Sequence, residues 1–258
     1  MDQAPPPHHR SQANMFKLVL QREDGEERTV MVKRVVPKEL PAKTGSHIWE
    51  EFIASVRTEM QFYAELREEQ NADIRHLFPT VHHSCGTPVE SDSQPMDTEF
   101  SIIMQDLSLD YFQKPMMTEK EARVVLESLA DMHSHFWGKM EGVQRGGFWV
   151  LARRHGEELG ADEAWRGLLQ RFPKLLDVHL DVEKIGSILG QRAAELDSYV
   201  GERGVTRIHG DAKGWNFFFG SEKAVSNFLF IDMQWTGRGH PLQVLMFMKM
   251  KIMTIFET

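Results

Sequence analysis

The string Ile208-His209-Gly210-Asp211-Ala212-Lys213-Gly214-Trp215-Asn216 combines His-x-Asp with an asparagine after a four-residue gap. Sixteen residues beyond Asn216 stands Asp232, inside the apolar run Phe228-Leu229-Phe230-Ile231-Asp232-Met233-Gln234. A carboxylate at the end of an apolar strand is poorly solvated unless a cation or a donor meets it. An asparagine and an aspartate brought together by a short strand-turn-strand supply hard oxygen ligands of the kind Mg²⁺ takes. A separate carboxylate, Asp211, can accept the proton of an attacking hydroxyl. Two metal ligands, one base and accurate positioning are what phosphoryl transfer requires.

Taken alone, the His-Gly-Asp string reads equally well as a turn whose aspartate caps nearby backbone. Three further features add to it. Lys33 ends an alternating strand, where a single amine can reach the phosphates of ATP. Glu59 follows 26 residues later on a helix, placed to hold that amine as an ion pair. The stretch Thr98-Glu99-Phe100-Ser101-Ile102-Ile103-Met104-Gln105-Asp106-Leu107 forms a strand running into a connector, where Met104, Gln105 and Asp106 would present groups to a nucleotide base. Singly, Lys33 reads as a surface strand lysine and Glu59 as part of a solvated helix face. Accident seldom produces their joint order: Lys, Glu, His-x-Asp, Asn and Asp.

The elements that must position these residues follow from patterning. Residues 1–13 are Pro, His and polar and read as a disordered tail. Phe16–Leu20 and Thr29–Val36 flank the turn Glu23-Asp24-Gly25-Glu26, an antiparallel hairpin. Phe52, Val56, Met60 and Tyr63 recur at helical spacing and predict one face of a helix over 47–69. Short strands are expected near 80–85 and 100–107, with a polar loop between them. Thr118 and Glu121 form a capping box, and Ala122, Leu126, Leu129, His133 and Phe136 then predict the buried stripe of a second long helix. A glycine-rich connection over 142–147, helices near 157–171 and 182–203 and three short strands complete the order. This is an α+β chain of two lobes: a small antiparallel β lobe with one long helix over 14–106, and a mainly helical lobe over 107–258. A ligand is expected between them.

Composition excludes several classes. Of 258 residues, 41% are hydrophobic and 26% charged, a globular balance. The net charge of −8 argues against nucleic acid and anionic membrane surfaces, which need clustered cations. One cysteine, Cys85, rules out an intrachain disulfide and fits a reducing, cytoplasmic setting. No apolar run is long enough to span a bilayer. His133 and His135 are two apart on a helix and face different ways, so His133 reads as a packed histidine. No GxSxG, HExxH or P-loop string occurs.

With these strings in view, the sequence resembles the aminoglycoside-phosphotransferase and choline-kinase superfamily, and within it the ecdysteroid-kinase-like branch. The resemblance rests on VMVKRV at Lys33, RTEMQFYAEL at Glu59, IIMQDL at the connector, LADMHSHFW at 129–137, HGDAKGWN, and FIDMQWTGRGHPL, and covers about 14–242. It implies a bilobal protein-kinase-like fold and ATP- and Mg²⁺-dependent transfer to a hydroxyl of a small molecule. Asp211 would be the base, Asn216 and Asp232 the Mg²⁺ ligands, Lys33 the contact to the α and β phosphates, and Glu59 its orienting partner. His209 would support the catalytic loop. Two departures qualify this. No glycine precedes Gly25, where the family places a glycine-rich phosphate cover, and Gln243 and Val244 stand where an acidic residue is expected. The large lobe is therefore expected to be incomplete at its C-terminus. The leading expectation is a small-molecule kinase; the alternative is a catalytically impaired kinase-like binding or scaffold protein. A protein kinase is a third reading, disfavoured by the absence of DFG and APE strings.

Overall fold

The computed structural model describes residues 13–21, 23, 25–39, 46–87, 97–114, 116–147, 161–173 and 182–244. Residues 1–12 of the tail expected to be disordered, most of the polar loop between the two middle strands and the methionine-rich segment after Val244 fall outside them. Ala13, read as the end of that tail, is instead buried in the core cluster with Val35, Phe52 and Phe100. The chain divides into two compact units. One holds the described residues of 13–131 and 212–235, the other those of 132–211 and 236–244. Each mixes helices with antiparallel strands. No helix among the described residues is long and apolar enough to cross a membrane.

In the first unit, β1 (Asn14–Gln21) and β2 (Glu27–Val35) form the expected hairpin, with Gly25 in its turn at φ +86°. That backbone conformation strains any residue with a Cβ, which is why the turn needs glycine there. β3 (Val81–Gly86) and β4 (Phe100–Gln105) complete an antiparallel sheet ordered β1-β2-β4-β3. Directly opposed residues share a sheet face. The pairs Met15–Lys33, Lys17–Met31, Lys33–Ile102, Met31–Met104 and Val35–Phe100 therefore set two lysines and a largely apolar row on one side. Helix α1 (Ser46–Glu65) covers that side where Val35 and Phe100 meet Phe52, Ile53 and Val56, all buried.

The expected helix over 47–69 ends at Glu65, and a 3-10 stretch, Glu69–Leu77, turns the chain toward β3. Arg75 secures that turn by donating to the carbonyls of Leu66, Arg67 and Glu68. Two strands absent from the sequence pattern appear. One is β5 (Tyr111–Gln113), which pairs with β7 (Phe217–Gly220). β7 in turn pairs with β8 (Phe228–Phe230). Phenylalanines weld this hairpin to α1: Phe62 meets Phe78 edge-on at 5.0 Å, Phe78 meets Phe230 at 5.8 Å, and Phe230 meets Phe228 at 4.7 Å. Each buried phenylalanine contributes about 1.5–3 kcal/mol through area and each ring pair about 0.5–1.5 kcal/mol more. The end of β8 is thereby fixed against α1.

α2 (Glu119–Phe136) begins with the expected capping box: Glu121 accepts from the Thr118 N–H at 2.8 Å, and Thr118 accepts from the Glu121 N–H at 3.3 Å. Its buried stripe runs through Val125, Ser128, Leu129, Met132, His133 and Phe136, while Leu126 is exposed. The predicted phase was off by about one residue in the first turns.

In the second unit, α3 (Ala161–Arg171) and α4 (Ile185–Glu202) pack closely because Gly186 carries no side chain; a Cβ there would lie 2.4 Å from Trp165 Cβ. Trp165 Nε1 also donates to the Val182 carbonyl at 2.7 Å. β6 (Thr206–Ile208) pairs with β9 (Gly237–Gly239), the second strand absent from the pattern. The connection read as merely glycine-rich lies beside β9: Gly146 and Gly237 approach so closely that a Cβ on either would fall within 2.6 Å of the other's backbone.

Candidate functional site

β2 carries Lys33 into the first unit beneath its sheet. Its ammonium lies 2.7 Å from Glu59 Oε2 and 2.9 Å from Asp232 Oδ1. The lysine side chain is 12% exposed and that of Glu59 is 1% exposed, so this cation is no surface lysine and this carboxylate no solvated face. Glu59 also accepts from the Met233 N–H, which ties α1 to the residue following Asp232. Asp232 itself has φ +60°, the sole non-glycine residue at positive φ among those described. An aspartate in this left-handed region carries strain, which the packing of the turn Met233–Trp235 against α1 holds in place.

The electrostatics follow from one cation between two carboxylates. Burial alone would lower the Lys33 pKa, but Asp232 and Glu59 outweigh it and raise it above the ordinary value. Burial raises the Glu59 carboxyl, and attraction to Lys33 opposes this without cancelling it. Both directions fit one ammonium placed between two carboxylates, one of them deeply buried.

Asn216 closes a short 3-10 turn, Gly214–Asn216, with its N–H on the Lys213 carbonyl at 2.8 Å. Its own carbonyl accepts from the Ile231 N–H at 3.0 Å. The β7–β8 hairpin therefore sets buried Asn216 beside the residue that precedes Asp232. Both side chains offer hard oxygen. No group of three or more His, Cys, Asp or Glu placed to hold a metal ion occurs among the described residues. Mg²⁺ needs no such cage, since it commonly takes one or two protein oxygens together with waters and phosphates. An amide oxygen from Asn216 and a carboxylate from Asp232 are hard donors of the kind Mg²⁺ takes, so the chemistry of this donor set fits Mg²⁺.

Asp211 follows β6 in the second unit and is buried, at 7% exposure. Its N–H donates to His209 Nδ1 at 3.3 Å across Gly210, which has φ +82°. His209 is fully buried, and its ring shapes the loop carrying Asp211.

The connector residues divide. Met104 opposes Met31 on the face shared with Lys33, whereas the Gln105 N–H is spent on the Thr80 carbonyl at 2.8 Å. Asp106 is not open to solvent: its Oδ2 lies 2.7 Å from Lys17 Nζ, and its Oδ1 accepts from the Ser108 N–H at 3.0 Å. Burial pushes this carboxyl up, but bonds from Lys17, Ser108 and Thr29 hold it well below the usual carboxylate range. Lys33, Glu59 and Asp232 thus touch directly, Asn216 joins them through the main chain, and Asp106 belongs to a separate pair.

Residues that the sequence reading missed are Lys17, the Met233 N–H and Tyr63. Lys17 and Lys33 both take the odd positions of paired alternating strands, a signal legible once the hairpin register is known. No family model matches the chain, and no curated protein matches it. Among solved structures the chain is similar to one described as the structure of the microcompartment-associated aminopropanol kinase. The identity is 16% over 92% of this chain and 69% of that chain, with a TM-score of 0.47.

Proposed function

We infer that the chain is an ATP- and Mg²⁺-dependent phosphotransferase acting on a hydroxyl group of a small molecule. The observation that carries this reading is the Lys33 ammonium held between buried Glu59 and the strained Asp232. An amine fixed in this way suits a polyphosphate, and the excess negative charge beside it suits the accompanying metal. In this reading residues 14–106 make the nucleotide-binding part, with Met104 at the base, and 107–258 carry the catalytic loop. Mg²⁺ held by Asn216 and Asp232 would neutralise charge on the β and γ phosphates. The acceptor oxygen forms a bond to the γ phosphorus while the bond from that phosphorus to the β–γ bridging oxygen breaks. The hydroxyl proton passes to the Asp211 carboxylate.

Asp211→Ala tests the assignment. Turnover of ATP with a panel of choline, steroid alcohols and amino sugars is expected to fall at least about 100-fold, since general-base catalysis contributes roughly 10²–10⁴. Stabilisation of the protein by Mg-ATP should persist. Stabilisation without turnover in the unmodified protein would favour the binding-protein alternative, and absence of both would remove the nucleotide reading.

A further inference from the structure

Tyr63 stands one helical turn beyond Glu59 on α1, and residues four apart share a helix face. It is 2% exposed, and its hydroxyl is buried without a hydrogen-bond partner among the described residues. The ring is well packed, with Phe62 at 5.7 Å. A phenylalanine would fill the same space without burying a hydroxyl, and an unsatisfied buried donor costs roughly 1–3 kcal/mol. The nearby charges are those of the cluster: burial, then Glu59, then Asp232 hold the phenol far above its ordinary pKa. It therefore stays a proton donor throughout the working range. Glu59 meanwhile accepts from Lys33 and from the Met233 N–H. A carboxylate offers about four acceptor positions, so it has capacity left.

We propose that Tyr63 is a positioning residue for this site, its hydroxyl donating to the Glu59 carboxylate when Lys33 turns from Asp232 to a bound polyphosphate. In the state described here Lys33 spends two of its three protons on Glu59 and Asp232. A polyphosphate drawing the ammonium toward itself weakens the Lys33–Glu59 contact at the moment when Asp232 is needed elsewhere. A second donor on Glu59 keeps that buried carboxylate satisfied, so α1 and the Met233 turn hold their places. The proposal rests on the nucleotide reading above.

The test is Tyr63→Phe in the full chain, read by thermal unfolding and calorimetry with Mg-ATP and with Mg-ADP. The unliganded variant is expected to melt at or slightly above the unmodified protein, since it loses a hydroxyl that nothing satisfies. Its affinity for both nucleotides is expected to fall about tenfold or more, the worth of a hydrogen bond to a charged group. A purely structural tyrosine would show the reverse, a lowered melting temperature with unchanged affinity, and that result overturns the proposal. Combining Tyr63→Phe with Glu59→Gln adds a second check: the two losses of affinity should be markedly non-additive if the hydroxyl acts through Glu59. Additive losses also overturn it. If the unmodified protein binds neither nucleotide, the functional reading itself fails and the role of Tyr63 goes with it. If it binds them and Tyr63→Phe binds equally well, only the Tyr63 proposal fails.

Discussion

Lys17 and Lys33 lie on adjacent strands of one sheet and on the same face, yet they have become different kinds of residue. Lys33 is 12% exposed and meets two carboxylates; Lys17 is 45% exposed and meets one, Asp106. The strand pattern treats them alike. The difference lies in what covers each position. Over Lys33 lies α1, which brings Glu59, and the β8 turn, which brings Asp232. Lys17 sits on β1, the edge strand of the sheet, where Met15, Phe16, Leu18, Val19 and Leu20 are exposed as well. This ion pair is open to water on its lysine side only, and it acts as a strap between β1 and the connector. The same pairing under a helix is poorly solvated, and its geometry sets the protonation and cation affinity of the whole group.

The largest expected effect is that of Lys33→Met. It leaves Glu59 buried without its cation and should cost about 3–5 kcal/mol in urea unfolding. Joining it to Glu59→Leu should recover much of that loss, because two apolar groups replace an unmatched charge. Should Lys33→Met prove no more damaging than Lys17→Met, the distinction drawn between the two lysines collapses.

His133 sharpens the contrast, because it too is buried, yet burial and His240 rather than an acid set its protonation. Burial, with a smaller contribution from His240, depresses its pKa to about 4. The unfolded chain, near the ordinary 6.5, takes up the proton first. Its contribution is therefore complete above about pH 6.5 and is lost as pH falls toward 4, up to about 3 kcal/mol. Unfolding free energies measured across that window should flatten in His133→Gln. A fall of unchanged steepness would show that other groups govern it. The direction is opposite to that of Lys33, whose two carboxylates overcome its burial.

The smallest effect is reserved for Lys17→Met. Asp106 keeps its bonds from Ser108 and Thr29, and Lys17 is largely solvated, so the loss at neutral pH should stay below about 1 kcal/mol and shrink in high salt. Asp106 is held below its ordinary pKa, so its contribution is present above about pH 4 and declines as pH falls. That acid-side decline should be shallower in the variant. A loss as large as that of Lys33→Met would show that buried Asp106 depends on Lys17 as Glu59 depends on Lys33.

Much of the site was legible from residue types. The capping box at Thr118, the β1–β2 hairpin and the long helix bearing Glu59 arise from local rules of capping, turn chemistry and periodicity, which act within a few residues. The strands β5 and β9 were not legible. Each is three residues long, too short for alternation to register, and exists because a distant strand offers it hydrogen bonds. Leu126 and Val125 exchanged roles on α2 because the partner surface, not the helix, decides which of two adjacent apolar residues is covered.

The sequence by itself determined that Lys33, Glu59, Asn216 and Asp232 are present in an order suited to one chemistry, and that each lies on or beside an element able to hold it still. Only the tertiary structure decided that the Lys33 ammonium meets Glu59 and Asp232 together, that Asp232 takes a left-handed backbone, and that Asp106 is satisfied by Lys17 and Ser108. It also decided that the Tyr63 hydroxyl lies buried near the cluster. Those outcomes depend on contacts between residues as far as 199 positions apart and on the exclusion of water. Neither quantity is written in any short window of the chain.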